Sequence, residues 1–365
     1  MTVRCRDARW FLGTLLVCLL PVACGGCGES GDGSHTVTMA VRQTNVVSDG
    51  AVPAALIDPN LVNAWGLVAS PTSPWWIADN GTGRSTVYNV STGAIPLIVT
   101  VPGAQGQQGT PTGIVFNGGT GFVVTDSAGT SPARFLFTSE DGTIACFRGG
   151  PVVIAVDNSA SGAVYKGLAI DNPTTGTFLY ATNFHTGTVD VFDSHFTPVH
   201  IPGAFTDPTL PDGYAPFGIQ NVDGTLYVTY AKQDAQKHDD VSGAGNGFVD
   251  VFDTNGHLIR RFASQGSLNS PWGLVRTPAG FGTLGDTILV GNFGDGHLHA
   301  FDPTSGRLVG QLTDGNTPIT IDGLWALSFG NGGNAGDVNT LFFTAGPSEE
   351  MHGLFGMLQP MAGPM

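Results

Sequence analysis

Apolar and polar positions alternate in short runs along almost the whole chain, and residues 270–302 show the pattern most clearly (SPWGLVRTPAGFGTLGDTILVGNFGDGHLHAFD). A small apolar run opened by an aromatic and a glycine, Trp272-Gly273-Leu274-Val275, leads into a turn rich in Gly, Pro and Thr. A second apolar run ends in Gly291-Asn292-Phe293, and after a glycine turn an alternating run ends in Phe301-Asp302. Runs this short, bounded by Gly and Pro, predict three antiparallel strands joined by tight turns.

The same phrase recurs, in residues 167–193 most plainly, where Asn183-Phe184-x-x-Gly187 matches Asn292-Phe293-x-x-Gly296. Weaker copies open at Trp65-Gly66-Leu67, Thr112-Gly113-Ile114, Phe217-Gly218-Ile219 and Asp322-Gly323-Leu324. The marker glycines Gly66, Gly113, Gly167, Gly218, Gly273 and Gly323 stand 47, 54, 51, 55 and 50 residues apart, about one four-stranded blade each. The expected fold is therefore all-β, a six-bladed β-propeller. Outer fourth strands are expected at 96–101, 151–156, 198–201, 257–262 and 307–312. The sixth unit has little apolar chain left beyond Leu358, and residues 37–47 read as a strand. This N-terminal strand is expected to close the last blade and cover its edge.

The start of the chain changes the picture of where the protein works. Arg4, Arg6 and Arg9 precede an apolar run over 10–23, which reads as a signal peptide covering residues 1–23. Pro21-Val22-Ala23-Cys24 resembles a bacterial lipobox, with Cys24 as the lipidated residue and Pro21 where that pattern prefers Leu. Residues 24–36 are Gly, Ser and acid and suit a flexible tether, leaving residues 37–365 as one domain. The expectation is export from the cytoplasm, as a membrane-anchored lipoprotein in the periplasm or at the cell surface, or as a secreted protein if the signal peptide is plain. Membrane contact is expected only through that anchor. Of five cysteines only Cys146 lies in the body, at a strand position matching Val191, so it reads as a buried small hydrophobe. A formal charge of −15 makes nucleic acid and anionic membrane surfaces poor partners.

In such a fold the loop entering each innermost strand and the loop after each second strand share one face, the loop face. Entering residues are Trp65, Thr112, Lys166, Phe217, Trp272 and Asp322. With nearby Trp325, the aromatics either pack where blades converge or line a funnel that stacks on a flat or sugar-like ligand, with Lys166 and Asp322 as polar handles. After the second strands come Asp79-Asn80, Asp126, Asn183 with His185, Asn292 with Asp295, and the run from Ser348 to His352. Repeated Asn at such places suits a turn more than a ligand.

Residues 230–247 interrupt the fourth unit and gather Asp234, His238, Asp239 and Asp240 in a chain that is only 12% charged. A loop of this length reads as a lid, a ligand contact or, with His185 or His352, a site for a divalent cation. No G-x-S-x-G and no H-E-x-x-H occurs, so the serine-hydrolase and zincin signatures are missing.

Sugar-lactonase and gluconolactonase propellers carry Asn or Asp before the marker glycine in several blades, where those side chains hold a cation. Here only Asp322 stands so, which disfavours that reading. The phrases at 60–67, 73–83, 180–193, 230–253, 269–274 and 323–333 together resemble a family of uncharacterised secreted bacterial proteins related to the NHL-type propellers (NHL/TolB-like). That resemblance implies the fold and export, and it implies no activity. The expected function is an extracytoplasmic binding module that holds a small molecule, glycan or protein on its loop face. The alternative is an NHL-like, metal-dependent hydrolase or lyase of lactonase type.

Overall fold

The computed structural model describes residues 36–172 and 177–361, without the side chains of 94–96. The leader, Cys24 and all of the tether but its last residue lie outside the described residues. The described residues form one compact unit. Apart from four single 3₁₀ turns, every regular element described is a strand. Among the described residues no helix is long and apolar enough to cross a membrane.

The strands form small antiparallel sheets in chain order. Ala64–Val68, Trp75–Asp79, Arg84–Asn89 and Gly93–Thr100 make one, and Pro111–Phe116, Phe135–Ser139, Thr143–Phe147 and Val153–Asp157 make the next. Tyr165–Ile170, Phe178–Asn183 and Thr188–Asp193 form a three-stranded sheet. The outer strand expected at 198–201 is reduced to a single bridge between Phe192 and Pro198. Tyr214–Val222, Thr225–Lys232, Phe248–Phe252 and Leu258–Ser264 follow. Pro271–Arg276, Ile288–Asn292, Leu298–Phe301 and Leu308–Asp314 then join Leu324–Phe329, Leu341–Ala345 and Leu354–Pro360 in one larger sheet.

The join is the N-terminal strand Val37–Ser48. Its first part pairs in parallel with Leu308–Asp314, and its longer part pairs antiparallel with Leu354–Pro360. The strand thus lies between Leu308–Asp314 and Leu354–Pro360 and covers edges that would otherwise offer unpaired N–H and C=O groups.

The innermost strands neighbour one another in a closed cycle: Ala64–Val68, Pro111–Phe116, Tyr165–Ile170, Tyr214–Val222, Pro271–Arg276, Leu324–Phe329 and back to Ala64–Val68. The marker glycines make that closeness possible. A Cβ on Gly66 would lie 2.3 Å from the Thr112 carbonyl oxygen, on Gly113 2.4 Å from the Leu168 nitrogen, and on Gly273 2.3 Å from the Trp325 carbonyl oxygen. No side chain fits such a gap.

Threonines of the second strands tie neighbouring inner strands together. Thr182 Oγ1 donates to the Phe217 carbonyl at 2.8 Å, and Thr344 Oγ1 donates to the Trp65 carbonyl. One register differs from the sequence reading. The irregularity that falls between Ala64 and Leu67, and between Pro271 and Leu274, falls between Leu324 and Leu327 in the last unit. Trp325-Ala326-Leu327 therefore matches Trp65-Gly66-Leu67, and Asp322-Gly323 lies outside the ring.

Candidate functional site

Each second strand runs antiparallel to its inner strand, so the start of one and the end of the other meet at the loop face. There the structure places a bonded chain of polar side chains drawn from five units. Glu350 Oε2 accepts from Asn63 Nδ2 at 2.6 Å, and the same amide donates to Asn80 Oδ1 at 3.2 Å. Asn80 Nδ2 donates to Glu140 Oε2 at 2.8 Å. Lys166 Nζ donates to Glu140 Oε1 at 2.5 Å and to Asp239 Oδ1 at 3.0 Å. His238 Nδ1 lies 2.9 Å from that same Asp239 oxygen.

Lys166 is only 2% exposed, and its ammonium stands 5.2 Å from the centre of the Trp65 ring. Burial alone would lower its pKa, but Glu140 and Asp239 outweigh burial and raise it, so the charge is kept. The hydrogen bond from His238, assisted by Lys166, holds the Asp239 carboxyl well below the usual carboxylate range. His238, about half exposed, is raised in turn by its bond to Asp239. Glu350 moves the other way. Burial and then the neighbouring Glu140 carboxylate push it up to about 7, against the pull of Asn63 and Lys166.

The backbone that delivers these groups is specialised. Ser348, Glu349 and Glu350 have φ of 58°, 55° and 65°, three successive left-handed residues, of which none is glycine. Each costs about 1–2 kcal/mol and survives only where its surroundings hold it. Asp322 Oδ2 accepts from the Ser348 N–H at 2.8 Å, and the Glu350 N–H donates to the Gly346 carbonyl at 3.1 Å. On the other side, residues 233–240 fold as a tight hairpin with Gln233 bridged to Asp240. Asp234 Oδ1 accepts from the N–H of His238 at 2.8 Å and of Asp239 at 3.3 Å, which presents both toward Lys166.

The aromatics expected to line a funnel are arranged differently. Trp65, Phe217 and Trp325 are each about 1% exposed. Trp65 and Trp325 stack at 3.6 Å, Phe293 stacks on the other face of Trp325 at 4.0 Å, and Trp272 meets Trp65 and Trp325 edge-on. Inner strands this close bring the rings within reach of one another, so they close the axis as a plug. A binding role built on an open aromatic funnel loses that basis.

Of the other expected site residues, Asn183 and Asn292 serve their own hairpins, bonding Asp190 and Asp295 at 3.1 Å each. The His185 carbonyl accepts from Gln233 at 3.5 Å, and His352 Nδ1 lies 2.7 Å from Asp49. Asp322 supports the Glu350 turn from outside the ring. Asp126, in an extra hairpin formed by Val123–Asp126 and Gly129–Pro132, pairs with Arg148 at 2.5 Å. The residue that follows that unit's second strand, Phe135–Ser139, is Glu140.

Glu140, His238 and Asp239 bring ligand atoms within 4.8 Å of one another, a spacing that suits a cation. Asp234, Asp240 and His352 are not part of that group. The Lys166 ammonium already bonds two of the three side chains and would repel a divalent ion placed among them. The donor set therefore fits an internal ammonium better than a metal. Asp240 is partly buried beside them, and burial raises its pKa.

No family model matches the chain. "Uncharacterized protein R648" of Acanthamoeba polyphaga mimivirus is 34% identical over 325 residues, covering 86% of this chain and 78% of that protein. "Uncharacterized protein L690" of the same virus is 33% identical over 327 residues, 86% of this chain and 84% of that protein. These relatives are viral, where the sequence resemblance pointed to secreted bacterial proteins. Among solved structures, virginiamycin B lyase from Staphylococcus aureus superposes with a TM-score of 0.50 at 13% identity, over 88% of this chain and 99% of that one. A glucose dehydrogenase does so with a TM-score of 0.53 at 10% identity, over 88% and 100%. Both are β-propeller proteins, and at these identities the likeness shows the fold alone.

Proposed function

This chain belongs to the same protein family as the two mimivirus proteins, and we propose for it a six-bladed propeller enzyme, a hydrolase or lyase that works by proton transfer at the loop-face end of its axis. The blade count rests on the closed cycle of inner strands and on the repeat spacing. The leader supports a place of action outside the cytoplasm, with Cys24 as the anchor.

One observation carries the reading: the unbroken chain of hydrogen bonds from Glu350 through Asn63, Asn80, Glu140, Lys166 and Asp239 to His238. It places two proton-transfer groups of different environment around one buried cation, the pattern by which enzymes separate acid and base roles. Glu350, with one oxygen held by Asn63, is populated in both forms near neutral pH. It can take a proton from water or from an activated C–H and return it to a leaving group. When His238 donates from Nδ1 to Asp239, its other ring nitrogen is the acceptor for a second proton. Lys166, too buried to touch substrate, fixes Glu140 and Asp239 and offsets negative charge developing above it. The substrate class that fits is a small polar molecule carrying an ester, a lactone or an acidic C–H. No step needs a metal.

The test is a panel of lactones, aryl esters and elimination substrates assayed from pH 5 to 9 with the wild type and Glu350→Gln. Turnover whose kcat/KM bends near pH 7, with the bend and most of the rate lost in the variant, supports the reading. Equal turnover by the variant, or none by the wild type on any class, defeats it.

A further inference from the structure

The axis holds a second, separate space on the other side of the aromatic plug. A cavity of about 640 Å³ lies between Trp272 and the turns that follow the inner strands Ala64–Val68, Tyr165–Ile170, Tyr214–Val222 and Leu324–Phe329. Its wall repeats around the axis: Leu67, Ile114, Leu168, Ile219, Leu274 and Leu327, the residue after the marker position in every unit, all line it. The loop-face groups Glu140, Lys166, Asp239 and Glu350 do not.

Charge is confined to the far end. Asp171 and Asp223 are the acidic lining residues, and both are engaged. Asp171 Oδ1 accepts from the N–H of Thr177 and Phe178 at 2.9 and 3.1 Å, and Asp223 pairs with Arg276 at 2.6 Å. Asn221 and Asn331, also at that end, donate to backbone carbonyls of the adjacent units, at Ile170 and at Ser70 and Ser73. The polar groups of the rim thus brace neighbouring turns, and the interior is a ring of aliphatic side chains joined by Trp75, Trp272, Phe116 and Phe329.

We infer that this cavity is a binding site for a neutral, largely apolar small molecule, distinct from the polar site at the loop face. The size falls in the range of small-molecule pockets, roughly 300–1,000 Å³, and an aliphatic wall with polar groups held to one end is how such pockets are built. An anionic ligand finds no cationic side chain in the wall and would lose its hydration on entry. Trp272 lines the cavity and also touches the plug, so an occupant contacts an indole that is otherwise only half-buried.

The experiment titrates the full chain with Nile red, a neutral solvatochromic dye, and reads the blue shift of its emission together with tryptophan quenching. Ala69→Trp and Val68→Trp each place an indole at a lining position. Saturable binding at one dye per chain, weakened tenfold or more in whichever filled variant keeps the wild-type melting temperature, is the expected result. Absence of saturable binding, or unchanged affinity in a folded filled variant, overturns the proposal and leaves the space a solvent channel.

Discussion

The indole rings of Trp65 and Trp325 lie 3.6 Å apart and 16° from parallel, so the inner strands of the first and last units meet face to face at the axis. The contact also reaches the chemistry. Trp325 Nε1 donates to Asn63 Oδ1 at 2.9 Å, and the amide group of Asn63 is the donor to Glu350. The plug therefore sets the orientation of the residue that holds the proposed acid–base group.

Trp325→Phe keeps a ring in the stack and removes the N–H that fixes Asn63. The expected cost is about 1 kcal/mol of stability, the scale of one lost neutral hydrogen bond. Because the Asn63 bond lowers the Glu350 pKa, the variant should also titrate that carboxyl at higher pH. Thermal melts and a carboxylate titration check the two halves separately, and a stability loss with no titration change would mean that the plug does not orient Asn63.

Gly113→Ala places a methyl 2.4 Å from the Leu168 nitrogen, backbone that cannot yield without opening the ring of inner strands. A loss of several kcal/mol or failure to fold is expected, at the upper end for single substitutions. At the matching place in the last unit the protein already carries Ala326, so Ala326→Gly should cost only about 1 kcal/mol, through backbone entropy and lost packing. Denaturant midpoints of the two variants test whether the glycines act by close approach.

Glu350 links stability to pH with a definite sign. Its folded pKa of about 7 lies above the unfolded 4.5, so its contribution is complete below pH 4.5 and is lost as pH rises through 7. Glu350→Gln removes that loss. At pH 8 the variant should be more stable than the wild type by about 1–2 kcal/mol, allowing for partial exposure, and near pH 4 the two should agree. Urea unfolding at both pH values checks this.

His299 works in the opposite direction. It is 7% exposed, its Nδ1 has no hydrogen-bond partner among the described residues, and burial lowers its pKa to about 4 from 6.5. Its contribution is complete above pH 6.5 and is lost as pH falls through 4. His299→Leu should flatten the acid limb of the stability curve by about 2–3 kcal/mol and leave the limb above pH 7 unchanged.

Much of the fold could be read from spacing, because every unit needs a small residue where inner strands touch and an aliphatic one after it. The last unit misled since Ala326 replaces glycine there, and Gly323, which serves a turn, stood three residues away. The second unit misled since an extra hairpin over 123–132 displaces the second strand to Phe135–Ser139 and carries Glu140, in place of Asp126, to the loop face. His238 and Asp239 were visible as a charged insertion in a chain poor in charge. The plug was not visible, because whether six neighbouring side chains leave a funnel or fill it depends on the axis radius, which spacing does not encode. Glu350 lay hidden in a run of polar residues whose three left-handed conformations no residue type there announces.

The most direct measurement is the titration of Glu350 itself, followed by carboxylate NMR in protein labelled at glutamate side chains, with the resonance assigned by Glu350→Gln. The account predicts a midpoint near 7, moving higher when Lys166→Met removes the cation beside it. A midpoint near 4.5, unmoved by that substitution, would contradict a proton-transfer site at the loop face.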